Sequence, residues 1–399
     1  MEILFEKYRK KLAATSLNFI RGLHNEITWE ARLIGIKGAR GTGKTTMLLQ
    51  HIKKSLPKNE STLYVSLDDI WFADNKLVDL ADEFVKYGGQ SLFLDEVHKY
   101  PNWSQEIKNI YDDYPELQVV FTGSSLLEIL NARADLSRRA ITYKMQGLSF
   151  REYLNLMQGT TFKSHSLEDI LQNHQEIATE VLQEVKPLPF FAKYLESGYY
   201  PYAKELPEHY HERLAEVVNL IIDIELPLLR NVAINYTPKL KQLLLAVAES
   251  APFVPNVSQL SERTGINRNT LVTYLHYLAE AGLTHHLYKK ASGVTRMQKP
   301  EKLYLENTNI AYALLGKVPD VGNMRETYFA NQLAYRYTCT FPTKGDFVVD
   351  DTWLFEVGGK NKTGHQIKHW ETDKAYVAKD GIEYGYAQSI PLWLFGFLY

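Results

Sequence analysis

An apolar run, Leu33-Ile34-Gly35-Ile36-Lys37, leads into Gly38-Ala39-Arg40-Gly41-Thr42-Gly43-Lys44-Thr45-Thr46, after which Met47, Leu48, Leu49 and Ile52 recur at helical spacing before Pro57. Buried strand, glycine-rich turn and helix in that order leave few alternatives. The pattern G-x-x-x-x-G-K-[ST] in this setting predicts a loop that cradles phosphates. The glycines let backbone amides converge on an anion, and the helix N-terminus adds positive potential. Lys44 reaches the β and γ phosphates and Thr45 ligates magnesium. Gly38 through Thr46 are the expected nucleotide-binding residues, with a nucleoside triphosphate and Mg2+ as ligands.

Further apolar runs at Leu63–Leu67, Ser91–Leu94, Val119–Thr122 and Ile141–Tyr143 alternate with helical stretches, which predicts a parallel, doubly wound α/β sheet. The second run closes on Asp95 and Glu96. Downstream of a phosphate loop these two acids are the expected hydrolytic pair: Asp95 on the magnesium, Glu96 polarising the attacking water. The run Val119-Val120-Phe121-Thr122-Gly123-Ser124-Ser125 ends in hydroxyls. A strand placed between the loop strand and the acidic strand would bring Thr122 near the γ phosphate. Arg133, Arg138 and Arg139 precede the fifth strand, and one of them is a candidate to neutralise charge on the γ phosphoryl group, in cis or from a neighbouring subunit.

At 399 residues the chain exceeds one ordinary core. Strand signal fades from Ser149 to about Asn235, where helical patterns broken by prolines suggest a lid or adaptor. Residues 236 to 300 read as three helices and a hairpin, and the last hundred residues as mixed strands and helices. The expected domains are thus 1–150, 151–235, 236–300 and 301–399. A net charge of −2 argues against bulk coating of nucleic acid. The single cysteine, Cys339, excludes an intramolecular disulfide and a thiolate metal cluster. Neither a secretion signal nor an apolar run of about 18 residues is visible, so a cytoplasmic location without membrane contact is expected.

The loop motif, Leu94-Asp95-Glu96-Val97-His98 with Trp103, Phe121-Thr122-Gly123-Ser124-Ser125 and Leu148-Ser149-Phe150-Arg151-Glu152-Tyr153 together resemble a prokaryotic family of AAA-type ATPases. The resemblance runs through Ser197-Gly198-Tyr199-Tyr200-Pro201 to the tail Ile390–Phe397. It implies ATP as the nucleotide, and it aligns Arg139 with the family's arginine after the polar strand. Arg138 stands where a glycine is more usual, which leaves open which arginine acts. Oligomer formation is also open.

Gln259 to Leu271 reads as helix, glycine turn and second helix, continued by Tyr274, Leu275 and Leu278 on one apolar face, the pattern of a winged helix. Asn267, Arg268, Asn269, Thr270 and Thr273 would sit at the recognition helix, with Lys289, Lys290 and Arg296 on the wing. Between Tyr236 and Pro300 eight bases face three acids, a local excess that could meet DNA phosphates, although winged helices also dock proteins. Farther on, Glu326, Asp346, Glu356 and Lys360 lie across a helix and a hairpin. That set is similar to the PD-(D/E)XK nuclease core, which the resemblance also assigns to this region. Asp346 and Glu356 would ligate magnesium, Lys360 would stabilise the attacking hydroxide, and Glu326 could add a ligand. The pattern departs from that core because Lys360 follows Glu356 by four residues where two is usual; a glycine bulge at Gly358-Gly359 could restore its aim. A nuclease-like fold kept for structure or partner binding is the competing reading. His365 and His369 share helical spacing but no acid completes a site, so packing or surface roles are expected. The aromatic tail Trp393–Tyr399 reads as a final core strand.

Overall fold

The five apolar runs of the N-terminal third form one sheet in the computed structural model, which describes residues 1–57, 59–124, 136, 138–249, 254, 256–290, 299–367 and 373–399. The chain divides into two compact units, Met1–Gly147 and Leu148–Tyr399. The boundary expected at 150 falls close to this division, whereas those expected at 235 and 300 lie inside the second unit.

In the first unit, helix α1 (Glu2–Ala14) precedes β1 (Leu33–Lys37), α2 (Lys44–Ser55), β2 (Thr62–Ser66), α3 (Leu77–Lys86), β3 (Ser91–Asp95), α4 (Trp103–Asp113), β4 (Gln118–Gly123) and β5 (Ile141–Lys144). The strands pair in parallel in the order β2-β3-β4-β1-β5. Strand β4 lies between β1 and β3, as the polar tip at Thr122 requires. Strands β1, β3 and β4 are covered on both faces, hence their unbroken apolar runs. All five C-terminal ends lie along one edge, where open α/β sheets bind ligands.

Behind the phosphate loop, His51 on α2 stacks on Trp29, with ring centroids 3.6 Å apart and planes 10° from parallel. Burial, then repulsion from His24 and Lys54, lowers its pKa to about 4. An imidazole with a depressed folded-state pKa takes up its proton more readily in the unfolded chain, so stability is lost as pH falls from 6.5 toward 4. His51→Phe keeps the stack and removes the titration. It is expected to lessen the acid-induced fall in unfolding free energy by about 1–2 kcal/mol, a figure discounted for the ring's partial solvent access. Denaturant melts at pH 7 and pH 4.5 check this, and an unchanged difference between the two would exonerate His51.

The second unit opens with helices α5 (Phe150–Gln158), α6 (Leu167–Glu184), α7 (Pro187–Ser197), α8 (Tyr210–Leu220) and α9 (Leu226–Arg230), a π-helical turn at Ile221–Glu225 joining the last two. This stretch is helical, yet it is no separate lid. Phe150 packs on Trp393 and Phe397, Phe191 on Tyr328, and the carbonyl of Tyr399 accepts hydrogen bonds from Ser149 Oγ and Arg151 Nε. The aromatic faces of these helices need burial, and the C-terminal segment supplies it within one core. Next come α10 (Thr237–Glu249), α11 (Val257–Thr264), α12 (Arg268–Glu280) and an antiparallel ribbon of β6 (Thr284–Leu287) with β7 (Lys302–Leu305). Gly265, at φ 65°, ends α11 and makes the turn into α12.

Helices α13 (Thr308–Leu315) and α14 (Val321–Leu333) then precede a mixed sheet of β8 (Cys339–Thr340), β9 (Phe347–Val349), β10 (Trp353–Gly358), β11 (Ala375–Lys379) and β12 (Ser389–Pro391), in the order β12-β11-β10-β9-β8. The aromatic tail is buried, but it departs from the expected strand: only Ser389–Pro391 is extended, and Leu392–Phe397 forms a 3-10 helix. A continuous apolar run carries no period that separates the two conformations.

Candidate nucleotide site

The loop between β1 and α2 owes its shape to two glycines. Gly43 adopts φ 95°, a left-handed conformation that side chains disfavour, and a Cβ on Gly38 would stand 2.3 Å from the carbonyl oxygen of Met145. Lys44 is buried, and its ammonium donates to the carbonyls of Gly38 and Ala39, both at 2.9 Å. Burial lowers its pKa to about 8, against the upward pull of Glu96 and Asp95. Thr42 Oγ1 donates to Ala39, while Arg40 lies beside His98 and Thr46 is exposed.

Asp95 at the tip of β3 is the hub. Thr45 Oγ1 donates to its Oδ2 at 2.6 Å and the Tyr64 hydroxyl to the same oxygen at 2.7 Å. Thr122 Oγ1 donates to Oδ1, which also accepts the Glu96 N–H at 3.1 Å. The donors come from α2, β2 and β4, so the hub exists only when those strands flank β3. Burial, with Asp95 beside it, raises the Tyr64 phenol and keeps it a neutral donor.

Glu96 sits in the left-handed region, φ 52° and ψ 41°, an uncommon conformation for a residue with a side chain and one that turns its carboxylate out of the strand. Ser124 Oγ donates to Oε1 at 2.7 Å, and Oε2 lies 3.5 Å from His98 Nε2. Burial, reinforced by Arg40, Lys99 and Lys44, depresses the His98 pKa to about 3, so this contact joins a neutral ring to a carboxylate.

Arg139 is placed elsewhere. Its guanidinium grips Asp112 at the end of α4 by two 2.9 Å bonds. It stands two residues before β5, whose Ile141 pairs with Ile34 near the start of β1. It therefore lies at the edge of the sheet opposite the phosphate loop, roughly 15 Å away at about 3.3 Å per strand residue. That position is far from its own phosphate loop. Arg138 is exposed, and Ser125 and Arg133 lie outside the described residues.

Two contributors carry no motif. Arg21, buried, bonds the carbonyls of Thr42, Gln146 and Gly147 and so ties the phosphate loop to the segment after β5. Tyr64 lies inside an apolar strand. Its buried hydroxyl needs a partner, which is the one sequence signal that could have marked it.

In the second unit, Glu326 and Asp346 share Lys302, Glu356 has its own lysine, and Lys360 joins none of the three acids. Lys360 is exposed, and the lysine on Glu356 is Lys362, with Nζ 2.9 Å from Oε1. The turn after Gly358 folds the stem of Lys362 back against that glycine, where a Cβ would meet it at 2.8 Å. Lys302 is the second lysine present, close to both Glu326 and Asp346. Asn267, Arg268, Asn269 and Thr273 are exposed at the start of α12, with Thr270 half-buried. Lys289 and Lys290 pair with Glu301 and Asp351 and line a cleft of about 500 Å3 with Phe341 and Lys344. His365 is exposed; Arg296 and His369 fall outside the described residues.

A phosphate loop, an acidic strand tip and a polar strand tip on a five-stranded parallel sheet define a P-loop nucleotide-binding domain. Residues 30–154 match the family described as an AAA domain, and residues 189–320 match a domain of unknown function (DUF8612). The first unit is thus an AAA-type ATPase domain. An uncharacterized protein of Methanocaldococcus jannaschii is 28% identical over 381 residues, covering 86% of this chain and 79% of that protein. A Walker-type ATPase of Pyrococcus abyssi is similar in structure at TM-score 0.43 and 13% identity, covering 74% of this chain and 96% of the other. The AMPPCP-bound DnaA of Aquifex aeolicus gives TM-score 0.25 and 15% identity over 70% of this chain and 87% of the other. Both scores are too low for the assignment to rest on them. No helix among the described residues is long and apolar enough to cross a membrane.

Proposed function

We propose that the chain is a magnesium-dependent ATPase whose nucleotide state is relayed to its second unit, and that the second unit contacts DNA through the exposed start of α12 within residues 236–300. The observation that carries the ATPase part is the hub at Asp95. Thr45 and Asp95 are already within hydrogen-bond distance, a donor set of hard oxygens that fits Mg2+. When bound, the ion would neutralise charge on the phosphate oxygens. Lys44 neutralises the β and γ phosphates, Thr122 holds Asp95 in place from the neighbouring strand, and Glu96 accepts the proton of the attacking water. Ser124 orients Glu96 through Oε1, and the neutral His98 ring flanks Oε2. Arg139, at the far edge of the sheet, serves a neighbouring subunit.

The DNA part is supported by the exposed start of α12 and by the bases around it. Phosphate release from ATP is expected to change when duplex DNA is added at low salt, and a gel shift seen with wild type should weaken about tenfold or more in Arg268→Ala. Turnover indifferent to DNA together with no shift removes the DNA contact and leaves a protein partner as the target. Nuclease action at Asp346 and Glu356 is not proposed, because their surroundings oppose it.

A further inference from the structure

The second unit brings two carboxylates to one buried ammonium and a third carboxylate to a second, partly exposed ammonium, from five separate segments. Lys302 on β7 has a side chain only 6% exposed, and its Nζ lies 3.0 Å from Glu326 Oε2 and 3.3 Å from Asp346 Oδ1. Its ammonium stands 5.4 Å from the ring centroid of Phe341. Tyr304, two residues along the same strand, donates its hydroxyl to the same Glu326 oxygen at 2.7 Å. The Val357 N–H donates to the second oxygen of Asp346 at 2.9 Å. Glu356 on β10 meets Lys362 through Oε1, while its Oε2 is buried and has no partner among the described residues; that side chain is 2% exposed.

In a nuclease centre of this outline the acids converge on a divalent ion. Two buried carboxylates at such close quarters repel one another and are tolerable only with a cation between them. Here the cation is already part of the chain. We propose that Lys302 takes the place of the divalent metal, so that Glu326, Asp346 and Glu356 form a cation site closed by the protein's own ammonium. Lys302 and Lys362 together bring two positive charges, as many as one divalent ion. The stem of Lys302 enters from the β6–β7 ribbon, so the plug also pins that ribbon to α14 and to the mixed sheet. The residues present therefore do not fit a metal, and the centre is an ion-paired core that a phosphodiester cannot enter. This holds whether or not the first unit turns over ATP.

The test uses the full chain without nucleotide and follows thermal unfolding with and without Mn2+. Wild type should show no Mn2+-dependent change traceable to this centre. Lys302→Met, which keeps the stem and removes the charge, should melt lower without metal and gain about 5 °C at saturating Mn2+. Adding Asp346→Asn to it should abolish the gain. If Lys302→Met does not fold, Lys302→Met/Glu326→Gln removes one charge of each sign and keeps Asp346 and Glu356 to hold Mn2+. The proposal is overturned if Mn2+ stabilises wild type and Asp346→Asn removes the effect, or if wild type nicks plasmid DNA and Asp346→Asn does not. It is equally overturned if a folded Lys302 variant gains nothing from Mn2+.

Discussion

Glu96→Gln is expected to release phosphate from ATP at least about a hundredfold more slowly than wild type while MgATP affinity changes by less than about threefold. Glutamine has the same size and can still accept from Ser124, so the left-handed turn at residue 96 and the hub at Asp95 keep their geometry. What it lacks is a lone pair basic enough to take a proton from water. Because Glu96 does not hold the phosphates, its loss falls on the chemical step and spares ground-state binding. Single-turnover phosphate release read beside equilibrium binding of a fluorescent nucleotide separates the two. Equal turnover in the variant would remove Glu96 as the base and point to another acceptor beside the water.

Lys44→Ala acts on ground-state binding instead and is expected to weaken MgATP binding by about a hundredfold or more, since charge-assisted contacts to two phosphates contribute about 1.5–3 kcal/mol each. Its effect on folding is expected to be small or favourable. The ammonium is buried, and desolvation holds its pKa down at about 8, so the buried charge itself costs stability. Calorimetric titration with MgATP, beside a thermal melt without nucleotide, distinguishes the two effects. Retained affinity would break the assignment of the loop, whereas lost affinity with a collapsed melt would report misfolding.

The two variants probe the parts of the site that are contiguous in the chain, which is why both are legible from the sequence. Gly38 to Thr45 is a single turn whose spacing is dictated by the phosphates it wraps. Asp95-Glu96 ends an apolar strand, and such an end lies by construction along one edge of a parallel sheet, where Asp95 is buried among its donors. The placement of β4 beside β3 was also within reach, because Thr122 has a role only there. Tyr64 and Arg21 carry no local pattern; each acts through a contact made across the sheet or across more than a hundred residues. Arg139 has a plausible position in sequence, yet its place at the start of a strand puts it at the wrong edge for its own nucleotide.

In the second unit the difference is sharper. The acids at 326, 346 and 356 could be picked out as a set because they resemble the acids of a PD-(D/E)XK nuclease core. The lysine could not. Residue spacing measures reach along one strand, and the chain leaves that strand at Gly358, so Lys360 turns to solvent and Lys362 folds back. Lys302 arrives from a separate strand, β7, and no spacing relates it to the acids. The helices from 150 to 230 look like a lid for the same reason, since an amphipathic pattern states that a face must be buried and is silent about against what. Chemistry confined to a few neighbouring residues was thus determined by the sequence, through backbone geometry that those residues impose on themselves. Which cation neutralises which carboxylate, and which aromatic face covers which helix, was decided only by the tertiary structure. Burial and Coulomb energies depend on distances in space, and the fold sets those distances between segments far apart in the chain.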